Sequence, residues 1–165
     1  MFYITSEEYK QMYDPMEEQL FNRLAFDACR IMDIHTTGID NVKKLKKYFP
    51  TDEDDSAAVK HCAAKLIYTL NQINLAEDTA LESRGYEATE QGMRSKVISS
   101  ISAGNESISY TTGGNASATV YDAAAKDKSA RDRLLAEIVW EYLSGIPDAN
   151  GVGLLFMGMY PRWRL

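Results

Sequence analysis

Two cysteines and two histidines leave this chain little with which to build a metal centre or a disulfide framework. Cys29 and Cys62 each lie in or beside a helical apolar stripe. His61 is adjacent to Cys62, so on a helix the two side chains point about 100° apart and close poorly on one ion. His35 and Asp33 lie near Cys29 in sequence, but no C-x-x-C or H-E-x-x-H spacing occurs, and neither a metal nor a cofactor is expected. A nucleophile elbow, a Walker sequence and a dinucleotide-binding glycine motif are also missing, since Gly151 and Gly153 stand too close together and follow a helix instead of a strand. With no set of titratable groups converging by spacing, no catalytic residue is expected and the chain is not read as an enzyme. No run of about 18 apolar residues occurs, and no basic segment leads into an apolar one at the N-terminus. The expectation is therefore a protein made in the cytoplasm with no membrane partner, and the glycosylation sequons at Asn105 and Asn115 read as chance. A surplus of positive charge is lacking too. The net charge of −6 argues against a surface built to grip a phosphate backbone.

What is present is ordinary globular material: 165 residues, 45% hydrophobic and 25% charged, suited to one domain. The patterning predicts a mainly α fold. It is a bundle of three to four helices with a small β-hairpin and an extended C-terminal tail. The boundaries are helical over 1–85, hairpin over 94–112, C-terminal helix over 119–144 and tail over 145–165. Thr5, Ser6, Glu7 and Glu8 form a capping box opening a helix that runs to about Tyr13. Asp14 and Pro15 then supply an N-cap and a first helical position for a long helix. Its stripe is Leu20, Phe21, Leu24, Ala25, Ala28, Ile31, Met32 and His35, and it stops near Gly38.

Lys43, Lys44, Lys46 and Lys47 face Asp52, Glu53, Asp54 and Asp55 across Phe49 and Pro50. A phosphate patch is conceivable, but neighbouring acids cancel its field within a Debye length, and a solvated face is the preferred reading. The acids sit at the entrance of the next helix, whose stripe of Val59, Cys62, Ala63, Leu66, Ile67, Leu70 and Ile73 marks the central core helix. Residues 85–93 turn polar and read as a loop. Residues 96–102 and 106–110 are β-branched, with Ala103, Gly104 and Asn105 as turn chemistry between them, so they read as a hairpin with Ile108 and Tyr110 on one face.

Ser129 and Asp132 form a further capping box. Leu134, Leu135, Ile138, Val139, Tyr142 and Leu143 follow in one helical stripe, closed by Gly145 and Pro147. Beyond them Gly151, Gly153 and Gly158 make a poor helix of an apolar stretch. Burying Leu154, Leu155, Phe156 and Met157 is worth roughly 1.5–3 kcal/mol each, about 6–12 kcal/mol together. That rivals the stability of a small domain. The stretch must dock, either on its own core or on another molecule.

In order along the chain, residues 2–10 (FYITSEEYK), 28–33 (ACRIMD), the 57–70 helix, 99–110 (SSISAGNESISY), 141–145 (EYLSG) and 154–158 (LLFMG) carry a resemblance. Together they resemble the head-tail connector (head completion, adaptor) family of tailed bacteriophages. The polar segment 76–95 departs from that pattern. The resemblance implies a helical bundle with a hairpin and a tail, joined into a dodecameric ring at the virion head-tail junction. Its partners would be itself, the portal protein and a stopper or tail-completion protein, with DNA only passing through the channel. Expected contact residues are Ile108 and Tyr110 of the hairpin and Leu154, Leu155, Phe156, Met157, Met159, Tyr160 and Trp163 of the tail. Deleting residues 151–165 is expected to leave a cooperatively melting body that no longer assembles. The alternative is a small helical regulatory or protein-binding module that forms no ring.

Overall fold

Helix caps and apolar stripes organise the chain much as the sequence suggests. The structure, a computed structural model, describes residues 2–83, 86–89, 92–95 and 119–161. It is mainly helical and divides into two compact units, residues 1–71 with 132–165, whose helices pack as a bundle, and residues 72–131.

In the first unit, α1 (Ser6–Met12) opens on the expected capping box. The Thr5 hydroxyl accepts from the Glu8 N–H at 3.2 Å, and the Glu8 carboxylate accepts from the Thr5 N–H at 2.8 Å. The next helix, α2 (Glu18–Thr36), begins later than Asp14 and Pro15 predict, at an N-cap Glu17 that makes no side-chain cap bond. The reason is aromatic packing. Tyr13 leaves α1 in an extended conformation with its ring 5.5 Å from Tyr9 and 4.8 Å from Tyr68. Such stacking offsets the loss of a cap worth about 1 kcal/mol.

Helix α3 (Lys44–Lys47) follows as a single turn, and then α4 (Glu53–Ser83) runs for 31 residues. The Asp52 carboxylate accepts from the Asp54 and Asp55 N–H groups at 3.0 and 3.3 Å, so the acidic run serves the helix entrance as expected. The buried faces of α2 (Phe21, Leu24, Ala25, Ala28, Met32) and α4 (Val59, Cys62, Ala63, Leu66, Ile67) meet with Ile4 and Tyr9 in one core.

Helix α6 (Lys128–Leu143), whose last part belongs to this unit, adds Leu135, Ile138, Val139 and Leu143 to that core. Ser129 is not its cap. Asp127 stands one residue before the helix and accepts from the Ser129 N–H at 2.9 Å, supplying the same bond from outside. Gly145 closes the helix with φ +84°, the left-handed conformation that a Cβ would strain.

In the second unit, α5 (Val120–Lys126) opens on a capping box between Thr119 and Asp122 and ends at Asp127. The Arg131 guanidinium pairs with Glu77 and also donates to the Ala124 carbonyl at 3.4 Å. Two short strands, β1 (Tyr86–Thr89) and β2 (Gly92–Ser95), pair antiparallel with Tyr86 opposite Ser95 and Thr89 opposite Gly92. This corrects the loop expected over 85–93. Each strand has only four residues, too few for an apolar alternation to show in sequence. Of the hairpin expected over 94–112, residues 94 and 95 belong to β2, and the remainder, with Ile108, Tyr110 and Trp163, lies outside the described residues.

Candidate interaction surface on the C-terminal strap

Glycine and proline keep residues 145–161 from forming a helix, but they do not leave an extended tail. The segment folds back as a strap. Pro147 bridges Gly153, the Leu154 N–H donates to the Ile146 carbonyl at 2.8 Å, and the Asp148 N–H donates to the Val152 carbonyl at 2.8 Å. The turn is fastened by Asp148, which is 4% exposed. One carboxylate oxygen accepts from the Asn150 and Val152 N–H groups, each at 2.9 Å, and the other accepts from the Tyr160 hydroxyl at 2.7 Å.

The α3 turn then holds the strap from the side. Lys44 is 1% exposed, and its ammonium donates to the Gly153 carbonyl at 3.1 Å and to the Phe156 carbonyl at 2.5 Å. This corrects the solvated-face reading of the lysine run for one of its four members. A single helical turn against a core must turn one residue inward, and the strap's carbonyls give that amine its partners. Burial pushes the Lys44 amine below its ordinary value, opposed by the nearby Asp148 and Asp40 carboxylates. Tyr48, at the end of α3, stacks on Tyr160 with ring centroids 5.0 Å apart and accepts from the Ala149 N–H at 3.1 Å.

A third attachment comes from the turn after α2. The Ile39 N–H donates to the Met157 carbonyl at 3.0 Å, and the Asp40 carboxylate accepts from the Tyr160 N–H at 2.6 Å. Gly38 permits the approach, because a Cβ there would lie 2.7 Å from the Gly158 carbonyl oxygen. Hydrogen bonds from the Tyr160 and Val42 amides hold the Asp40 carboxyl below its ordinary value of 3.8. A carboxylate depressed in the folded state contributes above the unfolded value and loses that contribution as pH falls through the folded one. The strap end is thus expected to loosen below about pH 4. Amide exchange at Tyr160 should accelerate there in the wild type and be already fast, with no such acid step, in Asp40→Asn.

The strap divides the expected contact residues. Leu154 is 0% exposed and Tyr160 5%, so these two are core positions of their own chain, while Leu155 packs partly buried against that core. Leu154 and Tyr160 are hence withdrawn from the contact surface. Phe156, Met157 and Met159 are 48%, 54% and 65% exposed, and Ile39, hydrogen-bonded beside Met157, is 80% exposed. The result is a group of exposed apolar residues carried on a strap that a polar clasp holds. Sequence reasoning missed Lys44, Asp40, Asp148 and Ile39. Of these only Asp148 was signalled, by the Pro147, Asp148, Asn150 and Gly151 turn chemistry.

Among the described residues no three His, Cys, Asp or Glu side chains gather as a metal site would require, and no helix is long and apolar enough to cross a membrane. Comparison with protein-family models, curated proteins and solved structures returns no match.

Proposed function

We propose that this chain is an assembly adaptor, a protein that acts by docking to other proteins. Within that class the reading is a head-tail connector of a tailed bacteriophage. Its subunits join a ring beneath the portal, reach a stopper or tail-completion protein on the other side, and let DNA pass. The ordered resemblance along the chain supports the family, and the acidic net charge suits a channel that does not hold its cargo.

The observation that carries the reading is the strap. Lys44, Asp40 and Asp148 fix its backbone while Phe156, Met157 and Met159 stay outside beside Ile39. Large apolar side chains left exposed on a backbone held in place are what a docking surface needs.

The test is the triple variant Phe156→Ser, Met157→Ser and Met159→Ser. All three positions are exposed, so its melting temperature should stay within about 5 °C of the wild type. Assembly on the portal ring, followed by negative-stain microscopy, should be lost. A triple variant that still forms full rings on the portal rejects the strap as the docking surface.

A further inference from the structure

A ring of identical subunits needs two different surfaces that fit each other, one on each side of every contact. A knob and a hole of opposite charge are both present in the first unit. The hole is a cleft of about 520 Å³ in which Phe2, Phe26 and Ile34 are 41%, 61% and 60% exposed. Three cations stand on its lining, Arg30, Lys43 and Lys46. The Lys46 amine is taken by Asp33 at 2.8 Å, whereas Arg30 and Lys43 are exposed and form no ion pair with a described residue. The cleft is thus apolar inside with two uncompensated positive charges at its edge. A neighbouring cleft of about 630 Å³, beside Ile4 and Phe49, differs in that its Glu8 and Lys60 already pair at 2.7 Å.

The knob lies on the outward face of α6. Trp140 is 57% exposed, although an indole is among the side chains that gain most from burial. Glu137 lies one helical turn before it on the same face, and Glu141 follows it in sequence about 100° round the helix. The Glu137 carboxylate holds Arg133 at 2.8 Å, which leaves Glu141, exposed and without an ion pair to a described residue, as the acid next to Trp140 in sequence that is free to pair.

We infer that copies of this chain dock head to tail, Trp140 of one copy entering the Phe2, Phe26 and Ile34 cleft of the next with Glu141 against Arg30 and Lys43. The indole fills the apolar floor and the arginine can lie over its face. Trp and Arg are the residue types that dominate such contacts. Knob and hole share no residue, so each copy offers one of each and the contact repeats. Closure of the repeats into a ring rests on the connector reading. The pairwise contact does not.

Sedimentation velocity of the full chain over a concentration series tests the contact. The wild type should self-associate, and Trp140→Ala and the double variant Arg30→Glu, Lys43→Glu should each weaken association at least about 30-fold. All changed positions are exposed, so circular dichroism melts should confirm intact folds. Mixing the two variants should then give a one-to-one dimer and nothing larger, because each supplies the surface the other has lost. A wild type that stays monomeric to about 1 mM overturns the contact, as does a Trp140→Ala chain that associates normally or a mixture that fails to pair. Rings that form on a portal regardless of Trp140→Ala remove this contact and leave the connector reading standing. Conversely, association that depends on Trp140 in a chain that never assembles on a portal removes the connector reading alone.

Discussion

Lys44→Met should lower the melting temperature by about 6–12 °C, the largest effect expected of any charged residue on α3. Methionine keeps most of the aliphatic stem, so little apolar contact is lost. What disappears is the ammonium that serves the Gly153 and Phe156 carbonyls. Hydrogen bonds to a charged donor are worth about 1.5–3 kcal/mol each, and a buried carbonyl left without a donor costs about 1–3 kcal/mol. Against this stands the relief of no longer burying a charge. A net loss of about 3 kcal/mol is the expected balance. Lys44→Arg should not rescue it, because a planar guanidinium cannot occupy the place of a compact ammonium between two carbonyls. Lys43→Met and Lys47→Met, both exposed, should change the melting temperature by no more than about 2 °C. Equal effects at all three lysines would refute the clasp.

Leu154→Ala should cost about 2–5 kcal/mol, while Met157→Ala, three residues on, should cost less than about 0.5 kcal/mol. Leu154 is fully buried in the main core and Met157 is half in solvent. Urea unfolding of the two variants measures the difference directly, since neither change should alter the denaturant slope. The contrast also replaces the deletion of residues 151–165 as a test. That deletion removes Val152, Leu154 and Tyr160, respectively 7%, 0% and 5% exposed, from the packed body. It is therefore expected to unfold the unit, not to leave a cooperatively melting body that has merely lost its docking segment.

The helices were legible because their signals are local. The Thr5 and Glu8 box, the α2 and α4 stripes and the glycine stop at Gly145 each need only neighbours in sequence to act. Starts were less legible wherever tertiary contacts compete. Tyr13 stacked on Tyr68 delays α2 past Pro15, and Tyr68 lies more than fifty residues further along the chain. The strap was legible as apolar and glycine-bearing, but its division into inner and outer residues was not. Composition cannot tell Leu154 from Met157. The distinction depends on Lys44 and Asp40, more than a hundred residues away, fixing which carbonyls and amides of the strap face inward. A lysine among lysines gives no sign that it alone will be buried.

The two thiols inherit a consequence from their positions. Cys62 is fully enclosed, and burial pushes it up to about 12, while Cys29 is 7% exposed and also pushed up by burial. The thiolate is the reactive form, so both are chemically quiet while the fold is closed. Alkylation at Cys29, which accepts from the Tyr3 N–H at 3.5 Å, would time the release of Tyr3 from α2, and alkylation at Cys62 would time the parting of the whole core.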